Sequence, residues 1–331
     1  MNLNCKAIID FPAPPVDKRG WPWINDSTTG SPVMASGKPW PKISIVTPSF
    51  NQGHFLEETI RSVIMQNYPN LEYIIIDGGS DDDSVNIIKK YEQWIAYWVS
   101  EKDNGQAHAI NKGLELCTGE IFNWINSDDY LKPSSLRMIA EGINDFDAVA
   151  GAVANFSLTT ENIIKSAELV VKKMIAGDKT VIYQQPGTWL KTKKLKNIGL
   201  LNENLNYSFD WLMTINYLNK YPKVNYIDDT LVKFRLHQDS KTVKYGLEFR
   251  REILLISIGL MYHLDYRDNY GSEAIKCMQK NLWIEEIDRL KLNGFLRIEK
   301  VKSIFFAIFK NIAFYPYRYA LGTIRKLIFN R

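Results

Sequence analysis

Short apolar runs alternate with helical patterns between residues 42 and 126, and this alternation limits the fold more than any other feature. KISIVTPSF, LEYIIIDGG, IAYWVS and GEIFNWIN are typical of buried strands, and apolar residues recur at helical spacing between them. That order predicts an α/β fold with a parallel sheet and helices on both faces. Further short β elements, QQPGTWLKT, KVNYID and TLVKFRLH, are expected around a helix that begins near Asp210, and a wholly helical region is expected past about residue 244.

Polar clusters follow each of these predicted strands at the point where the strand ends. The clusters are TPSFN, DGGSDDDS, SEKDNGQ and NSDD. In open parallel sheets, ligands bind outside the carboxyl ends of the strands. The sequence therefore predicts one polar ligand site along a single edge of the sheet.

Composition excludes some classes of protein and favours others. The formal net charge of +4 over 331 residues is too small to indicate a nucleic-acid partner. Cys5, Cys117 and Cys277 lack metal-ligand spacing, which favours a reducing compartment. The first residues lack a signal-peptide pattern, and no apolar run reaches the roughly 18 residues of a spanning helix. We therefore expect a cytoplasmic protein.

The two ends of the chain differ from the central region, which we place at residues 42–243. Residues 1–41 are rich in Pro, Gly, Ser and Trp, which predicts an extended arm that docks through Trp21, Trp23 and Trp40. Residues 244–331 end in a basic segment with apolar residues at helical spacing. Such a helix can lie on the cytoplasmic face of an anionic membrane. The alternative is that these helices pack on the central domain or a partner subunit.

Asp77 and the acid pair Asp128–Asp129 are candidate ligand-binding groups. The Asp77 carboxylate could accept hydrogen bonds from a ribose hydroxyl or a base imide, while the alternative of helix capping applies to Ser80 or Asp81. Adjacent carboxylates repel each other, but a Mg²⁺ or Mn²⁺ ion between them and a diphosphate offsets the repulsion. Asp128 is the expected direct ligand, and Asp129 is expected to orient it or cap the next helix. A simple polar turn is the alternative.

These motifs, in one chain order over residues 42–236, resemble the inverting family-2 glycosyltransferases with the GT-A fold. The closest likeness is to a bacterial subgroup with D-G-G-S and N-S-D-D motifs. The resemblance implies a hexosyltransferase-type enzyme with a nucleotide-diphosphate sugar donor, a divalent metal and single displacement at the anomeric carbon. It also implies a saccharide or lipid-linked acceptor, in cell-surface polysaccharide or glycolipid biosynthesis.

Carried over by position, the resemblance assigns roles to further residues. A nucleotide-binding role falls to Pro48, Phe50, Asn51, Asp77, Asn104, Gly105, Lys112 and Asn126. Asn126 stands where many relatives have the first Asp of a D-x-D motif, so Asp128 becomes the principal metal ligand.

The resemblance also assigns roles on the acceptor and phosphate sides. Asp210 matches the catalytic base, a role that an acceptor hydroxyl requires; capping of the following helix is the alternative. His237 could ligate the metal, and Arg235 could neutralise phosphate charge. Gln185 and Trp189 match an acceptor-side motif, although a core position for Trp189 is the alternative.

Two other functions remain possible from the sequence. A degenerate transferase would bind a nucleotide sugar without transferring it, but Asp128 and Asp210 are both retained. An NAD-dependent oxidoreductase would need a G-x-G-x-x-G turn after the first strand. The turn here is TPSFNQG, which argues against that class.

Overall fold

A single mixed sheet organises the protein, which is described by a computed structural model over residues 11–24, 31–264 and 273–274. The strands are β1 Ile43–Ser49, β2 Leu71–Asp77, β3 Tyr97–Ser100, β4 Ile121–Trp124, β5 Tyr130–Leu131, β6 Ala148–Phe156, β7 Glu161–Ile164, β8 Thr188–Lys191 and β9 Val224–Arg235. The helices are α1 Gly53–Ile64, α2 Ser84–Tyr91, α3 Gln106–Leu116, α4 Ser135–Ile143, α5 Val171–Ala176, α6 Thr192–Lys196, α7 Phe209–Lys220, α8 Lys241–Lys244 and α9 Gly246–His263. The sheet order is β3-β2-β1-β4-β8-β6-β9-β5, and β7 pairs with β6.

The first four strands form the parallel half of the sheet, which confirms the predicted α/β class. β1 pairs with β2 and β4, and β2 pairs with β3, all in parallel. In this register Ser49 lies beside Asp77, and Asp77 beside Ser100. The polar clusters that follow these strands therefore meet at one edge of the sheet.

The second half of the sheet is less regular than the sequence indicates. β8 runs antiparallel to both β4 and β6. KVNYID and TLVKFRLH, expected as separate β elements, form the single strand β9, which pairs in parallel with β6. The register shifts on either side of Ala152, so Asp228 and Asp229, the polar residues between the two apolar stretches of β9, have no partner residue in β6. The short strands β5 and β7 were not predicted.

Apolar residues cover both faces of the sheet, as the alternation of strands and helices requires. One core contains Ile60, Ile75 and Trp189, all fully buried. The other contains Phe122 and extends to Met261 of α9. α9 thus shares a core with the sheet, whereas the boundary placed at residue 244 remains a prediction.

The basic tail at residues 298–331 lies outside the described residues, as does its predicted membrane contact. Among the helices that the structure describes, none combines the length and apolar character needed to span a bilayer.

The N-terminal arm packs onto α1 around the buried side chain of Arg61. Trp23 and Trp40 are each 7% exposed, and Trp21 donates its indole N–H to the Leu131 carbonyl at 2.7 Å. The Arg61 guanidinium donates to the carbonyls of Pro12, Pro22 and Trp23 and to the hydroxyl of Tyr91. Arg61 therefore satisfies backbone acceptors that the arm would otherwise bury without partners.

Replacing Arg61 with methionine is expected to lower the free energy of unfolding by about 2–4 kcal/mol, because several carbonyls lose their donor. Denaturant unfolding measures this loss, and limited proteolysis should cut the arm sooner. Arg19→Met is the control, since Arg19 is exposed and, within the part of the chain that the structure describes, donates to the nearby carbonyls of Val16 and Lys18. Equal stability of the two variants would contradict this role for Arg61.

Candidate functional site

A cavity of about 990 Å³ opens along the edge where the parallel strands end. Its lining combines the predicted polar clusters with residues from α5, α7 and α9. The site residues predicted from the sequence that line it are Pro48, Phe50, Gly105, Asn126, Asp128, Gln185 and Asp210. The cavity therefore gathers residues from the loops after β1 and β4, the start of α3 and the start of α7.

The adjacent acids of the NSDD cluster point in different directions. The Asp128 side chain is 18% exposed at the cavity, and its Oδ2 lies 3.0 Å from Nε2 of His237. Asp129 is fully buried and accepts hydrogen bonds from the backbone N–H of Arg235 and the side-chain amide of Asn126. Burial and the neighbouring Asp128 carboxylate raise the pKa of Asp129 well above its usual range. A raised pKa favours the uncharged carboxyl of Asp129, and this reduces the repulsion between the two adjacent acids.

Asn126 is fixed by its neighbours at the cavity wall. Its side-chain oxygen accepts a hydrogen bond from Gln106 at 2.8 Å, and its amide donates to Asp129 at 3.2 Å. An aspartate at this position would place a second carboxylate beside the buried Asp129. The asparagine therefore fits the hydrogen bonding of this loop.

Arg235 contacts the loop that carries Asp128 and Asp129. Its guanidinium donates to the Asp128 carbonyl at 2.9 Å and pairs with Glu58 at 2.6 Å. The guanidinium also lies against the rings of Phe55 and Phe156, at 4.7 and 4.6 Å from their centroids. These contacts indicate a supporting role, and phosphate neutralisation by Arg235 remains only a prediction.

Asp77 is occupied by its own turn. It is fully buried, and its Oδ2 accepts from the backbone N–H groups of Gly79 and Ser80 and from the hydroxyl of Ser100. Its Oδ1 accepts from the Ser80 hydroxyl at 2.6 Å. The carboxylate therefore holds the D-G-G-S turn against β3, and this position gives no support to the predicted nucleoside contact of Asp77.

Asp210 lies in the first turn of α7 and lines the cavity. Its Oδ1 accepts from the backbone N–H of Trp211 at 2.8 Å. Burial raises the pKa of Asp210 to about 7, against these stabilising bonds. A carboxyl group with that pKa can both accept and release a proton near neutral pH.

α9 holds the loop that leads to Asp210. The Glu252 carboxylate accepts from the backbone N–H groups of Asn206, Tyr207 and Ser208, the last at 2.5 Å. Phe249 and Ile253 of the same helix line the cavity. These residues were not predicted, because they follow the predicted central domain and belong to no recognised motif.

The other predicted residues lie around the cavity rather than in its lining. Asn51 joins β1 to the D-G-G-S turn through bonds with Ser80 and Asp81. Asn104 is exposed and donates its backbone N–H to His108, while Lys112 pairs with Glu101.

The two acceptor-side candidates separate in the structure. Gln185 lines the cavity and donates its amide to Asn123 at 2.8 Å. Trp189 is fully buried within the core on one face of the sheet. Its indole has no exposed face for a sugar, so its position matches the core alternative.

Tyr183 and Trp211 form an aromatic wall beside Asp210 that the sequence analysis did not single out. Both line the cavity, with ring centroids 5.7 Å apart in an edge-to-face arrangement. The buried Trp211 Nε1 has no hydrogen-bond partner among the described residues. This N–H could donate to a polar group bound in the cavity.

The oxygen and nitrogen ligands available suit a hard divalent cation that also contacts a substrate. Within the described ranges, no three His, Cys, Asp or Glu side chains are grouped to hold a metal ion. Asp128 and His237 offer two ligands, and Mg²⁺ or Mn²⁺ commonly takes its others from phosphates and water. The pair therefore fits a cation that binds together with a diphosphate.

Comparison with known proteins assigns the family. Residues 44–207 match the model of glycosyl transferase family 2, and the chain belongs to that family. A glycosyltransferase of Rickettsia typhi is 26% identical over 234 residues, which cover 68% of this chain and 73% of the relative. GlyG of Streptococcus pneumoniae is also 26% identical, over 64% of this chain and 77% of its own.

Solved structures show the same GT-A fold. The S. aureus TarS structure in complex with UDP-GlcNAc has a TM-score of 0.59 at 18% identity, over 87% of this chain and 81% of that chain. Mannosyltransferase PcManGT from Pyrobaculum calidifontis, in complex with GDP-Man and Mn²⁺, has a TM-score of 0.51 at 16% identity, over 88% of each chain. At these identities the likeness extends to the fold alone.

Proposed function

We propose that this glycosyltransferase moves a sugar from a nucleoside diphosphate to a hydroxyl acceptor with inversion at the anomeric carbon. The main support is that Asp128 and Asp210 line one cavity while differing in character. Asp128 is partly exposed beside His237, whereas burial raises the pKa of Asp210 to about 7. Two groups with different environments can divide leaving-group stabilisation and proton removal between them.

Asp210 is the proposed catalytic base. Its carboxylate would accept the proton of the acceptor hydroxyl while that oxygen forms a bond to the anomeric carbon. The bond from the same carbon to the diphosphate breaks, and its electron pair leaves with the diphosphate. A single displacement from the opposite face inverts the anomeric configuration.

Asp128 and His237 are the residues that would hold Mg²⁺ or Mn²⁺. When bound, such a cation supplies positive charge beside the departing diphosphate. Asp129 and Arg235 would keep Asp128 aimed at the cavity, since both contact the same loop. The nucleotide sugars and Mn²⁺ in the neighbouring structures are consistent with this chemistry.

The acceptor would enter near Asp210, where Tyr183, Trp211 and Ile253 line the cavity. Aromatic and apolar side chains can pack against the faces of a sugar ring or an apolar group attached to it. A saccharide or lipid-linked acceptor in polysaccharide or glycolipid synthesis remains our prediction. Membrane association depends on the basic tail beyond the described residues.

Nucleotide sugars should stabilise the protein in a Mn²⁺-dependent way. A donor at about 100 times its Kd adds about 2.7 kcal/mol to the free energy of unfolding, because it binds the folded state. Thermal unfolding with a panel of nucleotide sugars, each with Mn²⁺ or EDTA, measures this effect. A panel without any shift would contradict the proposed donor class.

Slow release of nucleoside diphosphate separates the transferase from a degenerate binding protein. If the protein binds a nucleotide sugar and releases nucleoside diphosphate from it in a way that depends on Asp210, transfer is supported. If it binds the nucleotide sugar but releases no nucleoside diphosphate with any hydroxyl acceptor, a protein that only binds the donor is favoured.

A further inference from the structure

Glu252 of α9 belongs to no recognised motif, yet it binds the segment that leads into α7. One carboxylate oxygen accepts the backbone N–H of Asn206 at 3.1 Å, and the other accepts those of Tyr207 at 2.9 Å and Ser208 at 2.5 Å. Hydrogen bonds to an ionised acceptor are about twice as strong as neutral ones. Asp210 follows Ser208 by two residues, so this contact fixes the chain immediately before the proposed base.

The start of α7 lacks the usual local anchor. Ser208 precedes the helix, but among the described residues its hydroxyl makes no capping bond to α7. It donates instead to the Phe249 carbonyl of α9 at 3.4 Å. The Tyr207 ring also packs beside the Phe249 ring, with centroids 5.6 Å apart. α9 therefore supplies contacts that a helix cap supplies elsewhere.

α9 is a fixed support because its other face is buried in the core. Ile256 and Leu260 are buried and share a core with Phe209 of α7. A group held by a packed helix is positioned more precisely than one held by a loop. Glu252 thus ties the segment before Asp210 to the core of the protein.

The charge of Glu252 acts on Asp210 as well. Burial is the main cause that raises the pKa of Asp210 to about 7, and the negative charge of Glu252 acts in the same direction. The other titratable groups here are Tyr183 beside Asp210, and Tyr207 and Lys241 beside Glu252. Burial raises the pKa of both tyrosines, so they stay neutral near pH 7. Removal of the Glu252 charge should therefore lower the pKa of Asp210.

We propose that Glu252 is a positioning residue for sugar transfer, because its bonds to residues 206–208 keep the Asp210 carboxylate aimed at the acceptor hydroxyl. This inference rests on the proposed function and extends the catalytic unit to a helix outside the predicted central domain. A base must lie within hydrogen-bond reach of the proton that it removes. A misplacement of about 1 Å can lower a rate by about 10²-fold.

Glu252→Gln tests the positioning with little change in shape. The amide group of glutamine cannot accept, so at least one of the three N–H groups loses its acceptor. We expect kcat on the plateau above pH 7 to fall by at least about 10-fold, with the donor KM within about twofold of the wild type. The rising limb of the pH–rate profile should also move to lower pH. Glu248→Gln, which removes a charge one turn earlier on α9, is the control and should match the wild type.

Glu252→Asp separates position from charge. It keeps the charge but withdraws the carboxylate by one methylene group. The plateau kcat should therefore fall by at least about 10-fold, while the rising limb stays near its wild-type pH. Circular dichroism measures the folded fraction of each variant, and each rate is expressed per folded molecule.

A purely structural role for Glu252 gives a different result. Both variants would then be less stable, but each folded molecule would keep the wild-type kcat and pH profile. A plateau kcat that falls by less than about 10-fold in Glu252→Gln and Glu252→Asp overturns the inference. A rising limb that Glu252→Gln leaves in place overturns it as well.

Asp210→Asn, measured in the same assays, separates this inference from the proposed function. If Asp210→Asn loses activity and the Glu252 variants do not, the inference alone is overturned. A wild-type protein without transfer activity, or an Asp210→Asn variant as active as the wild type, overturns the proposed function and this inference with it.

Discussion

Asp210→Asn is expected to lower the rate of sugar transfer by about 10²- to 10⁴-fold, the usual contribution of a general base. Asparagine keeps the size of the side chain and an oxygen for the Trp211 N–H, but it cannot accept the acceptor's proton. Nucleotide affinity should change little, because Asp210 lies among the residues proposed to receive the acceptor. Steady-state kinetics should show a lower kcat with a similar KM for the donor.

The pH dependence of the wild-type enzyme should follow the same group. Only the ionised carboxylate accepts a proton, and burial raises the pKa of Asp210 to about 7. The rate should therefore rise with pH through about 7 and level off above it. A rate that is already constant between pH 5 and pH 8 would contradict the assignment of Asp210 as the base.

Asp210→Asn should also stabilise the ligand-free protein at high pH. Because the folded-state pKa lies above the unfolded value, the folded state binds the proton more tightly. This contribution to stability is complete below the unfolded pKa and is lost as pH rises through about 7. Asp210→Asn avoids that loss. At pH 8 the free energy of unfolding of the variant should therefore exceed that of the wild type by up to about 4 kcal/mol, and the difference should shrink toward pH 5.

A combination of lost activity and gained stability would distinguish a catalytic group from a structural one. If the Asp210 carboxylate served only to cap α7, its replacement would lower the free energy of unfolding of the protein. Asp210→Asn that is both active and less stable at pH 8 would therefore support the capping alternative. Denaturant unfolding at both pH values, run beside the kinetics, decides between them.

The parallel half of the fold was predictable because its signals are local. β1 through β4 are short apolar runs, and each is followed by a polar cluster where the strand ends. The pairing of β1 with both β2 and β4 brings those clusters to one edge. Periodicity and turn chemistry are sufficient to place Asp128 and Gly105 near one cavity.

The second half depends on contacts between residues far apart in the chain. β5 contains only Tyr130 and Leu131, and it exists because β9 provides the pairing edge. β9 continues across Asp228 and Asp229 because shifts in register with β6 absorb the interruption. No local pattern in the sequence reports either pairing.

Burial separates acids that look alike in the sequence. Asp77 and Asp129 are fully buried and hold loops together, whereas Asp103 and Asp128 line the cavity. Neighbouring loops determine these differences, because each acid has donors within reach or lacks them. Glu252 is a similar case, since only the packing of α9 brings it to the loop before Asp210.

Asp128→Asn is expected to weaken Mn²⁺-dependent binding of nucleoside diphosphate by about 10²-fold, the upper end of the loss of metal affinity that follows removal of a group that only supports a ligand. Asp129 is fully buried and already accepts hydrogen bonds from Arg235 and Asn126, so its carboxyl is a poor substitute ligand. Asn126 is uncharged and is bound to Gln106 and Asp129. Loss of Asp128 thus leaves the loop without an accessible carboxylate for the cation.

Asp129→Asn is the matched control, because it changes the adjacent residue in the same loop by the same atoms. It should weaken Mn²⁺-dependent binding by no more than about 10-fold, the lower end of the range for a group that only positions a metal ligand. It should also lower the free energy of unfolding by about 1–3 kcal/mol, since buried bonds to Arg235 and Asn126 are disturbed. Mn²⁺ titration followed by electron paramagnetic resonance, with nucleotide present, measures the cation directly. If Asp129→Asn abolished the Mn²⁺ dependence while Asp128→Asn preserved it, the two carboxylates would have the opposite roles. A cation site that survives both changes would instead require ligands other than this acid pair.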